Sequence, residues 1–595
     1  MKLLLVAVNA KYIHSNLAVY SLKGYAEKYL SDGQQQAVQL TLAEYTINHS
    51  EEDILAGIFE EKADVVAFSC YIWNIDIVLK ISAELKKVSP KLRIWLGGPE
   101  VSYDAMQCLE KHPELDGIML GEGEQTFLEL VLHYACNDRT MGEITGLAYR
   151  DYESNQILMT GARLPLNLDQ IPFPYEAGTD FENRIIYYES SRGCPFSCSY
   201  CLSSIDRRVR LRSTELVKRE LQILLDRNVP QVKFVDRTFN CNKQHAMELW
   251  QFIKEKDNGI TNFHFEISAD LLEEEEIAFL ASLRPGQVQF EIGVQSTNPD
   301  TVKAICRRMD LGKLRKNVAL IKKNGNIHQH LDLIAGLPLE DYASFEQSFK
   351  EVYSMNPDQL QLGFLKVLKG SPMEQSAKKY GIVYRNTAPY EVLTTDRLTF
   401  EEVLRLKGIC EMVEVYYNSG QFSYAIAYLE HFYPSPMKLY EELYDYYKSK
   451  KMLIIAHSRI RRYEILLDFY KERVLGREAS GDGYISGSRD FSTEALWLFE
   501  EILLFELFLR ENIKSHPGFV RSKPKYDFRD IYDEYRREHK QTHIEVFSFD
   551  PEISALEGKA IRQETVILFD YSRRDPLRHS AVYQRLKLNT GRRLP

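Results

Sequence analysis

Long hydrophobic runs are absent from this sequence of 595 residues. A membrane-spanning helix needs about 20 consecutive apolar residues, and no segment approaches that length, so we expect a soluble chain with no membrane partner. The apolar run near the start is followed by Asn9 and Lys11, without the small-residue cleavage site that a secretion signal requires. We therefore interpret this run as a buried strand and expect the protein to be cytoplasmic.

Cysteine and positive charge are also in short supply. Nine cysteines are too few for a disulfide scaffold in a chain of this length. There are 75 Lys and Arg against 85 Asp and Glu, a net charge of −10, which disfavours a protein that coats nucleic acid. No repeat or low-complexity segment occurs, and the aromatic content of 12% argues against disorder. At about 150 residues per domain, the length predicts three or four ordered domains.

The first third of the chain alternates short apolar runs with helical patterns. Strands are predicted at 2–8, 64–69, 93–97 and 117–120, and helices at 17–30, 75–88 and 103–110. This order predicts an α/β domain with a doubly wound, Rossmann-like parallel sheet, whose ligands bind beyond the carboxyl ends of the strands. Polar residues and glycines follow those ends, at 9–16, 70–74, 97–100 and 121–124.

The middle third repeats the alternation with six predicted strands. They lie at 185–191, 232–236, 263–268, 288–294, 330–335 and 360–367, with helices such as 214–228 and 311–324 between them. Six units predict a partial (β/α)6 barrel of the TIM type, because a complete eight-unit barrel takes about 250 residues. The proline-containing segment 164–175 predicts an extended connector across the surface.

Beyond about residue 380 the pattern becomes mainly helical and carries no motif. Helical stretches are predicted at 400–417, 423–433, 437–473 and 492–511, and strands at 543–549 and 565–571. The predicted organisation is therefore a first domain at 1–150, a linker at 151–180, a partial barrel at 181–375 and a mainly α domain of unknown role at 376–595.

Three of the nine cysteines lie close together on one loop. Cys194, Cys198 and Cys201 stand in SRGCPFSCSYC, directly after a predicted strand. Three thiolates on a loop can hold one face of an iron–sulfur cluster and leave its fourth iron open. A zinc site would need a fourth ligand nearby, and the next cysteine along the chain, Cys241, is forty residues away. A zinc clip or buried free thiols remain the lesser alternatives.

The C-x3-C-x2-C spacing, with Tyr200 before the last cysteine, resembles the radical S-adenosylmethionine (SAM) superfamily. The resemblance implies a [4Fe-4S] cluster whose open iron is chelated by SAM, reduced by an electron donor of the flavodoxin or ferredoxin type. It also implies a 5′-deoxyadenosyl radical that abstracts hydrogen from a substrate. The residues implied to hold SAM stand at the ends of the later strands: Asp236, Arg237, Thr238, Glu266, Gln295, Ser296, Arg307 and Asp332.

The stretch from LGGPE to GIMLGEGE resembles the cobalamin-binding domain that is fused to many such enzymes. The resemblance implies a corrin rim lined by Gly97, Gly98, Pro99, Gly121, Glu122, Gly123 and Glu124. The Asp-x-His-x-x-Gly motif that supplies a histidine to cobalt is missing, so we expect His14 to be a rim or capping residue. Tyr71 or Trp73 could cover the vacant cobalt face, although core packing is an equal alternative for Trp73.

Two functions therefore compete. The first is a cobalamin-dependent radical SAM methyltransferase that acts on an unactivated carbon of an unknown substrate. The alternative is non-methylating chemistry on the same fold, such as oxidative cyclisation or rearrangement. A methylthiotransferase would need a second cluster on three N-terminal cysteines, and Cys70, Cys108 and Cys136 include none on the first strand-end loop. Nucleic acid is an unlikely partner for so acidic a chain.

Overall fold

The computed structural model describes residues 1–175, 182–476, 491–513, 515–520, 526–527, 541–586 and 592–593. It confirms an α/β chain with a doubly wound sheet, a partial barrel and a helical C-terminal region.

The first sheet has seven strands in the order β2-β1-β3-β4-β5-β6-β7. These strands are β1 (Lys2–Asn9), β2 (Gln39–Thr46), β3 (Val65–Ser69), β4 (Arg93–Gly97), β5 (Gly117–Met119), β6 (Leu147–Asp151) and β7 (Gln156–Met159). Strands β1 to β5 run parallel, whereas β6 and β7 are antiparallel. The predicted domain limit at residue 150 falls within β6, so the sheet extends further along the chain than predicted.

Both faces of this sheet are covered by helices. These are α1 (Leu17–Tyr29), α2 (Asp32–Ala37), α3 (Glu51–Glu60), α4 (Ile75–Val88), α5 (Ala105–Lys111) and α6 (Glu124–Cys136). Successive β1 residues alternate between two cores, with Leu4 and Val6 in one and Leu3 and Leu5 in the other. A strand that is buried on both faces reads as a continuous apolar run, which is why β1 is recognisable in the sequence.

The barrel contains six parallel strands in the order β15-β14-β13-β12-β11-β8 and does not close. They are β8 (Ile185–Tyr188), β11 (Gln231–Phe234), β12 (Asn262–Ile267), β13 (Val288–Gln295), β14 (His328–Ala335) and β15 (Gln359–Phe364). A short antiparallel pair, β9 (Ser191–Arg192) and β10 (Arg210–Leu211), follows β8. The helices between the strands are α7 (Thr214–Asp226), α8 (Lys243–Glu255), α9 (Glu274–Leu280), α10 (Pro299–Ala304), α11 (Leu311–Asn324) and α12 (Tyr342–Tyr353).

The two edges of the open barrel contact other parts of the chain. At the β8 edge, Ile185 donates its amide to Ile13 (2.7 Å), and Ser15 donates to Ile185 (3.4 Å), so the loop after β1 adds to the barrel sheet. At the β15 edge, the Asn418 side chain accepts from the Leu360 amide and donates to the Leu360 carbonyl, both at 2.9 Å. Both edges are therefore held by backbone-directed hydrogen bonds.

The predicted surface connector at 164–175 is packed rather than solvated. Leu168, Ile171 and Tyr175 are buried, and the first two contact Tyr25 of α1 in one small core. The prolines keep the segment extended, and its apolar side chains fill the space between the sheet helices and the barrel. Residues 176–180 of the predicted linker lie outside the described residues.

The C-terminal region is mainly helical, as predicted. Its helices are α13 (Pro372–Ser376), α14 (Phe400–Val413), α15 (Ser423–Glu430), α16 (Pro436–Ser449), α17 (Arg459–Phe469), α18 (Phe491–Arg510) and α19 (Pro551–Glu557). The predicted single stretch 437–473 is two helices, because α16 ends at Ser449 and α17 begins only after Ser458 caps it. One continuous core joins these helices to the barrel.

Short strands complete the C-terminal region. They are β16 (Val383–Tyr384), β17 (Val392–Thr394), β18 (Tyr526–Asp527), β19 (Thr542–Phe547), β20 (Thr565–Arg574), β21 (Ala581–Leu586) and β22 (Arg592–Arg593). Across the described ranges, no helix is both long and apolar enough to cross a bilayer.

Candidate active site

The three-cysteine loop begins between β9 and β10 and is built around a required glycine. Gly193 has a φ of +92°, and a Cβ atom there would lie 2.2 Å from the Arg208 carbonyl oxygen. The next residue, Cys194, donates its amide to the Asp206 carbonyl at 3.1 Å. The loop therefore folds back tightly on the segment that follows it, and Cys194 and Cys198 are buried at its centre.

Asp236 holds the start of this loop through hydrogen bonds to the two serines that precede it. Its carboxylate accepts the Ser190 amide (2.9 Å) and the hydroxyls of Ser190 and Ser191 (both 2.6 Å). Burial raises the pKa of Asp236 to about 6, against the opposing effect of these hydrogen bonds. Asp236 does not line the cavity described below, because its hydrogen bonds direct it to Ser190 and Ser191 at the start of the loop, and a contact of Asp236 with SAM stays a prediction.

A cavity of about 190 Å³ lies between the cysteine loop and the carboxyl ends of the barrel strands. It brings together most of the predicted residues. Its lining includes Cys194, Cys198, Cys201, Arg237, Thr238, Glu266, Gln295, Arg307 and Asp332. The thiol of Cys194 lies 3.6 Å from the Thr238 hydroxyl, and an Arg307 guanidinium nitrogen lies 3.7 Å from the Cys198 sulfur. The positive Arg307 favours thiolate at Cys198, although burial is the larger influence and raises the pKa of that thiol.

Two side chains of this cavity carry buried polar atoms that have no partner among the described residues. These atoms are Oε1 of Gln295 and Nε of Arg307. Gln295 also has a φ of +73°, at a bulge where β13 shifts register against β14. Unpaired buried polar atoms cost free energy unless a ligand meets them, and strained backbone often marks ligand sites. The cavity is thus built to bind a polar molecule.

Ser296 does not reach this cavity. Its hydroxyl donates to Glu340 at 2.5 Å, and both residues are buried. The interaction ties the end of β13 to the segment before α12. A contact between Ser296 and SAM therefore stays a prediction, because the hydroxyl is engaged with Glu340 in this structure.

A group of buried polar side chains beside the predicted Glu266 escaped the sequence analysis, and one of them, Glu291, lines the cavity. Glu291 lies 3.0 Å from the Lys233 ammonium and 3.1 Å from His264, and these contacts hold the pKa of Glu291 well below its usual range despite burial. Burial raises the pKa of Glu266 to about 7, although Arg237 opposes it. The available signal was period-two polar residues within otherwise apolar strands, since alternate residues of a barrel strand face the interior.

Asp332 and His330 form a second pair in the barrel interior, 3.0 Å apart. Burial raises the pKa of Asp332, and the histidine opposes that shift. Asp332 thus borders the cavity with one carboxylate oxygen next to the His330 imidazole.

The strand-end turns of the first sheet have two kinds of glycine. Gly98 has a φ of +113°, and a Cβ atom there would lie 2.5 Å from the Cys70 carbonyl oxygen, so the turn itself requires it. Gly121 has a φ of +71°, but a Cβ atom there would meet nothing within 4 Å. Open space next to Gly121 leaves room for a large ligand, whereas Gly98 is needed for close backbone packing.

Tyr71 and Trp73 form a stacked pair beyond the end of β3. Their rings are 4.3 Å apart and 5° from parallel, and the indole donates to the Val8 carbonyl at 3.2 Å. Trp73 is 43% exposed, which excludes simple core packing. Burial raises the pKa of Tyr71 to about 12, and the charge of Arg237 opposes this shift. Tyr71 is therefore close enough to Arg237, which lines the barrel cavity, for its hydroxyl to respond to that charge.

Glu122 and Glu124, which are predicted to line a corrin, form ion pairs with arginines of the barrel. Arg192 lies 2.5 Å from Glu124, 3.2 Å from Glu122 and 2.8 Å from Glu189. Arg210 also pairs with Glu122. We call these five residues the interdomain ion-pair cluster. Arg192 and Arg210 are the paired residues of β9 and β10, so the cluster joins the first sheet to both ends of the cysteine loop.

His14 lies at the same junction. Its Nδ1 atom is 2.9 Å from the Tyr187 hydroxyl, and its backbone bridges Ile185 of β8. Burial lowers the pKa of His14, and nearby lysines act in the same direction. The imidazole is thus engaged with the barrel edge.

Comparisons with known proteins divide the chain in the same way. The B12 binding domain family matches residues 3–131, and the radical SAM superfamily matches residues 188–352. A protein family of unknown function, DUF4080, matches residues 378–569. The chain therefore combines a B12-binding domain with a radical SAM domain, and these two domains imply cobalamin, SAM and a [4Fe-4S] cluster as cofactors.

Individual relatives are similar over most of these domains. The chain is 23% identical over 462 residues to 2-(S-pantetheinyl)-carbapenam-3-carboxylate methyltransferase of Streptantibioticus cattleyicolor. It is 24% identical over 457 residues to the cobalamin-dependent radical SAM methyltransferase TokK of Streptomyces tokunonensis. Each alignment covers 70% of this chain and 66% of the relative, so the chain matches just under two thirds of their length.

A solved structure supports the fold. The cobalamin-dependent SAM radical enzyme OxsB, with aqua-cobalamin and SAM bound, aligns with a TM-score of 0.54 at 17% identity. The alignment covers 84% of both chains, which extends the likeness beyond the two cofactor domains.

The residues present fit the implied cofactors. Three cysteines, two of them buried, share one cavity with unpaired polar atoms of Gln295 and Arg307. Soft thiolates suit an iron–sulfur cluster, and an amide with a guanidinium suits the polar groups of SAM. The open space at Gly121 and the exposed stacked pair at Tyr71 suit a flat macrocycle.

Proposed function

We propose that this chain is a cobalamin-dependent radical SAM methyltransferase that methylates an unactivated carbon of its substrate. The main support is that the aromatic pair of the first domain lies near the cysteine-lined cavity of the barrel. The stacked pair Tyr71 and Trp73 follows a strand of the first sheet, Tyr71 is within the electrostatic influence of Arg237, and Arg237 lines the cavity that contains the three cysteines.

Different residues of the cavity would bind the cluster and orient SAM. Cys194, Cys198 and Cys201 would hold the iron–sulfur cluster, while Gln295 and Arg307 would orient SAM through their unpaired polar atoms. When bound, these cofactors supply a carbon radical on the substrate, and cobalamin supplies the methyl group.

The first sheet would hold cobalamin without a protein ligand on its lower face. His14 is engaged with Tyr187 and the β8 edge, which supports a role at the junction over cobalt ligation. The rings of Tyr71 and Trp73 would exclude water from the exposed face of the corrin. The interdomain ion-pair cluster would fix the distance between the two cofactors.

The experiment is a product analysis that does not depend on knowing the substrate at the start. The reconstituted full chain is incubated with reductant, cobalamin and SAM carrying a CD3 methyl group. We expect 5′-deoxyadenosine and S-adenosylhomocysteine to form. Once a substrate is supplied, the methylated product should be three mass units heavier than the product made with unlabelled SAM. A chain that binds cobalamin and cleaves SAM but never incorporates the label would favour the oxidative cyclisation or rearrangement alternative.

We further propose a cytoplasmic location and a flavodoxin or ferredoxin as electron donor. All nine cysteines are free, which supports a reducing compartment. The domain limits at 1–150, 151–180, 181–375 and 376–595 stay a proposal, with the first sheet extending to Met159.

A further inference from the structure

The cysteine loop is enclosed by three segments, and each of them contacts it through the backbone. Asp206 accepts the amide of Cys194 at 3.1 Å. Ile305, after α10, accepts the amide of Ser199 at 2.9 Å, and Ser199 in turn accepts the amide of Met373 in α13 at 2.8 Å. These segments are therefore the protein layer between the proposed cluster and solvent on this side.

All three segments present exposed cations. The six exposed basic residues are Arg207, Arg208, Lys303, Arg308, Lys378 and Lys379. None of them forms an ion pair with a described residue. The same segments contain four carboxylates, Asp206, Asp300, Asp310 and Glu374, and Asp310 is engaged in capping α11. We call the six cations the basic collar.

The basic collar contrasts with the acidic character of the chain as a whole, whose net charge is −10. Unpaired cations on an acidic protein focus a local positive potential and steer an acidic partner to that spot. Ile205, which is 48% exposed, adds an apolar group beside Arg207. The collar thus has the charge and the apolar anchor of a site for transient protein docking.

We infer that the basic collar is the docking surface for an acidic one-electron carrier protein. This inference rests on the proposed function, because only a redox-active cluster in the cysteine loop needs such a partner. In the docked complex, one electron leaves the carrier and enters the cluster, so that the carrier is oxidised by one electron and the cluster is reduced by one. No atom or proton has to cross the interface.

Few covalent bonds and only one hydrogen bond separate the collar residue Arg207 from the proposed cluster ligand Cys194. Cys194 is separated from Asp206 by one hydrogen bond, and Arg207 follows Asp206 directly. The Arg208 carbonyl packs against Gly193, the neighbour of Cys194. A carrier docked at Arg207 and Arg208 would therefore contact a segment that hydrogen-bonds directly to a cysteine of the loop.

The test compares two charge-reversal variants with a matched control. Arg207→Glu/Arg208→Glu and Lys378→Glu/Lys379→Glu each reverse two charges of the collar. The control, Lys91→Glu/Lys111→Glu, reverses two exposed lysines that lie just before the amino end of β4 and at the last residue of α5 in the first domain. The Kd of oxidised flavodoxin is measured without turnover at low and high salt, and SAM cleavage is measured with reduced flavodoxin and with dithionite.

We expect the Kd and the flavodoxin KM to rise about tenfold in both collar variants, with a weaker salt dependence, and to stay unchanged in the control. SAM cleavage with dithionite should equal that of the unmodified chain in all three. Unchanged Kd and KM in both collar variants, or an equal loss in the control, would overturn the inference. If the unmodified chain fails to cleave SAM with dithionite, the proposed function fails, and the binding measurements still decide whether the collar binds the carrier.

Discussion

The interdomain ion-pair cluster should set how firmly the cobalamin domain is held against the cysteine loop. The informative perturbation is a double-mutant cycle of Arg192→Met and Glu124→Gln. Methionine keeps much of the arginine's length without its charge, and glutamine keeps the shape of glutamate. The side chains of Arg192 and Glu124 are only 17% and 5% exposed, so the pair is little screened by solvent.

The magnitude follows from the geometry. Two unit charges 4 Å apart attract by about 4 kcal/mol at an effective dielectric constant of 20, and lost hydration offsets part of this. Glu122 and Glu189 still neutralise Arg192 when Glu124 is changed. We therefore expect a coupling free energy of about 1–3 kcal/mol between Arg192 and Glu124.

Hydrogen exchange reports the coupling locally. The Cys194 amide donates to Asp206, and the Arg212 amide donates to Ser190, so both amides exchange when the loop opens. The opening free energy of peptides from this loop is measured in the unmodified chain, the two single variants and the double variant. The control pair is Lys80 and Glu51, which are 63% and 52% exposed and should show no resolvable coupling.

The protection of the loop amides against hydrogen exchange should also depend on pH. Burial alone would raise the pKa of Glu124, but Arg192 outweighs burial and holds this pKa below its usual range. A carboxylate with a lowered pKa stabilises the fold above its unfolded pKa and loses that effect as pH falls. Protection of the loop should therefore persist at about pH 5 and decline in more acidic solution. A coupling below about 0.3 kcal/mol would refute the reasoning, because independent sites add within that limit.

Three further predictions test the proposed sites. Cys201→Ala should abolish the broad absorption near about 400 nm of the reconstituted protein and all SAM cleavage, whereas Cys306→Ala, at an exposed thiol, should retain both. Gly121→Asn should reduce cobalamin retention in equilibrium dialysis while circular dichroism stays native, since asparagine tolerates the positive φ at this position and its Cβ atom would meet no protein atom within 4 Å; full retention would place the corrin elsewhere. SAM affinity should rise as pH increases through about 7, because the pKa of Glu266 is about 7 and its carboxylate attracts the cationic ligand, and Glu266→Gln should flatten this profile in calorimetry.

The sequence predicted the barrel strands well because their apolar residues recur between clear helical patterns. It missed β2, whose residues are mostly half-buried at the edge of the first sheet, so no continuous apolar run marks it. It also joined α16 to α17, because the intervening residues 450–458 lack the glycine or proline that usually marks a break.

The candidate site was predictable where chemistry is local and not where partners are distant in sequence. The cysteine spacing identified the loop, since all three ligands lie on one segment. Asp236 and Ser296 stand at strand ends like true cavity residues, but their hydrogen bonds turn them toward Ser190 and Glu340. The pairing of Glu124 with Arg192 joins residues 68 positions apart, and only the fold brings them together.

The hydrogen bonds at the two edges of the barrel have a consequence for the radical SAM domain in isolation. An open sheet leaves unpaired amides and carbonyls on its outermost strands, and such edges template pairing with other chains. Here Ile13 and Ser15 occupy part of the β8 edge, and Asn418 occupies part of the β15 edge. A fragment cut at residues 181 and 375 would expose both edges at once and should self-associate. The flanking regions therefore protect the barrel from aggregation by covering its edge strands.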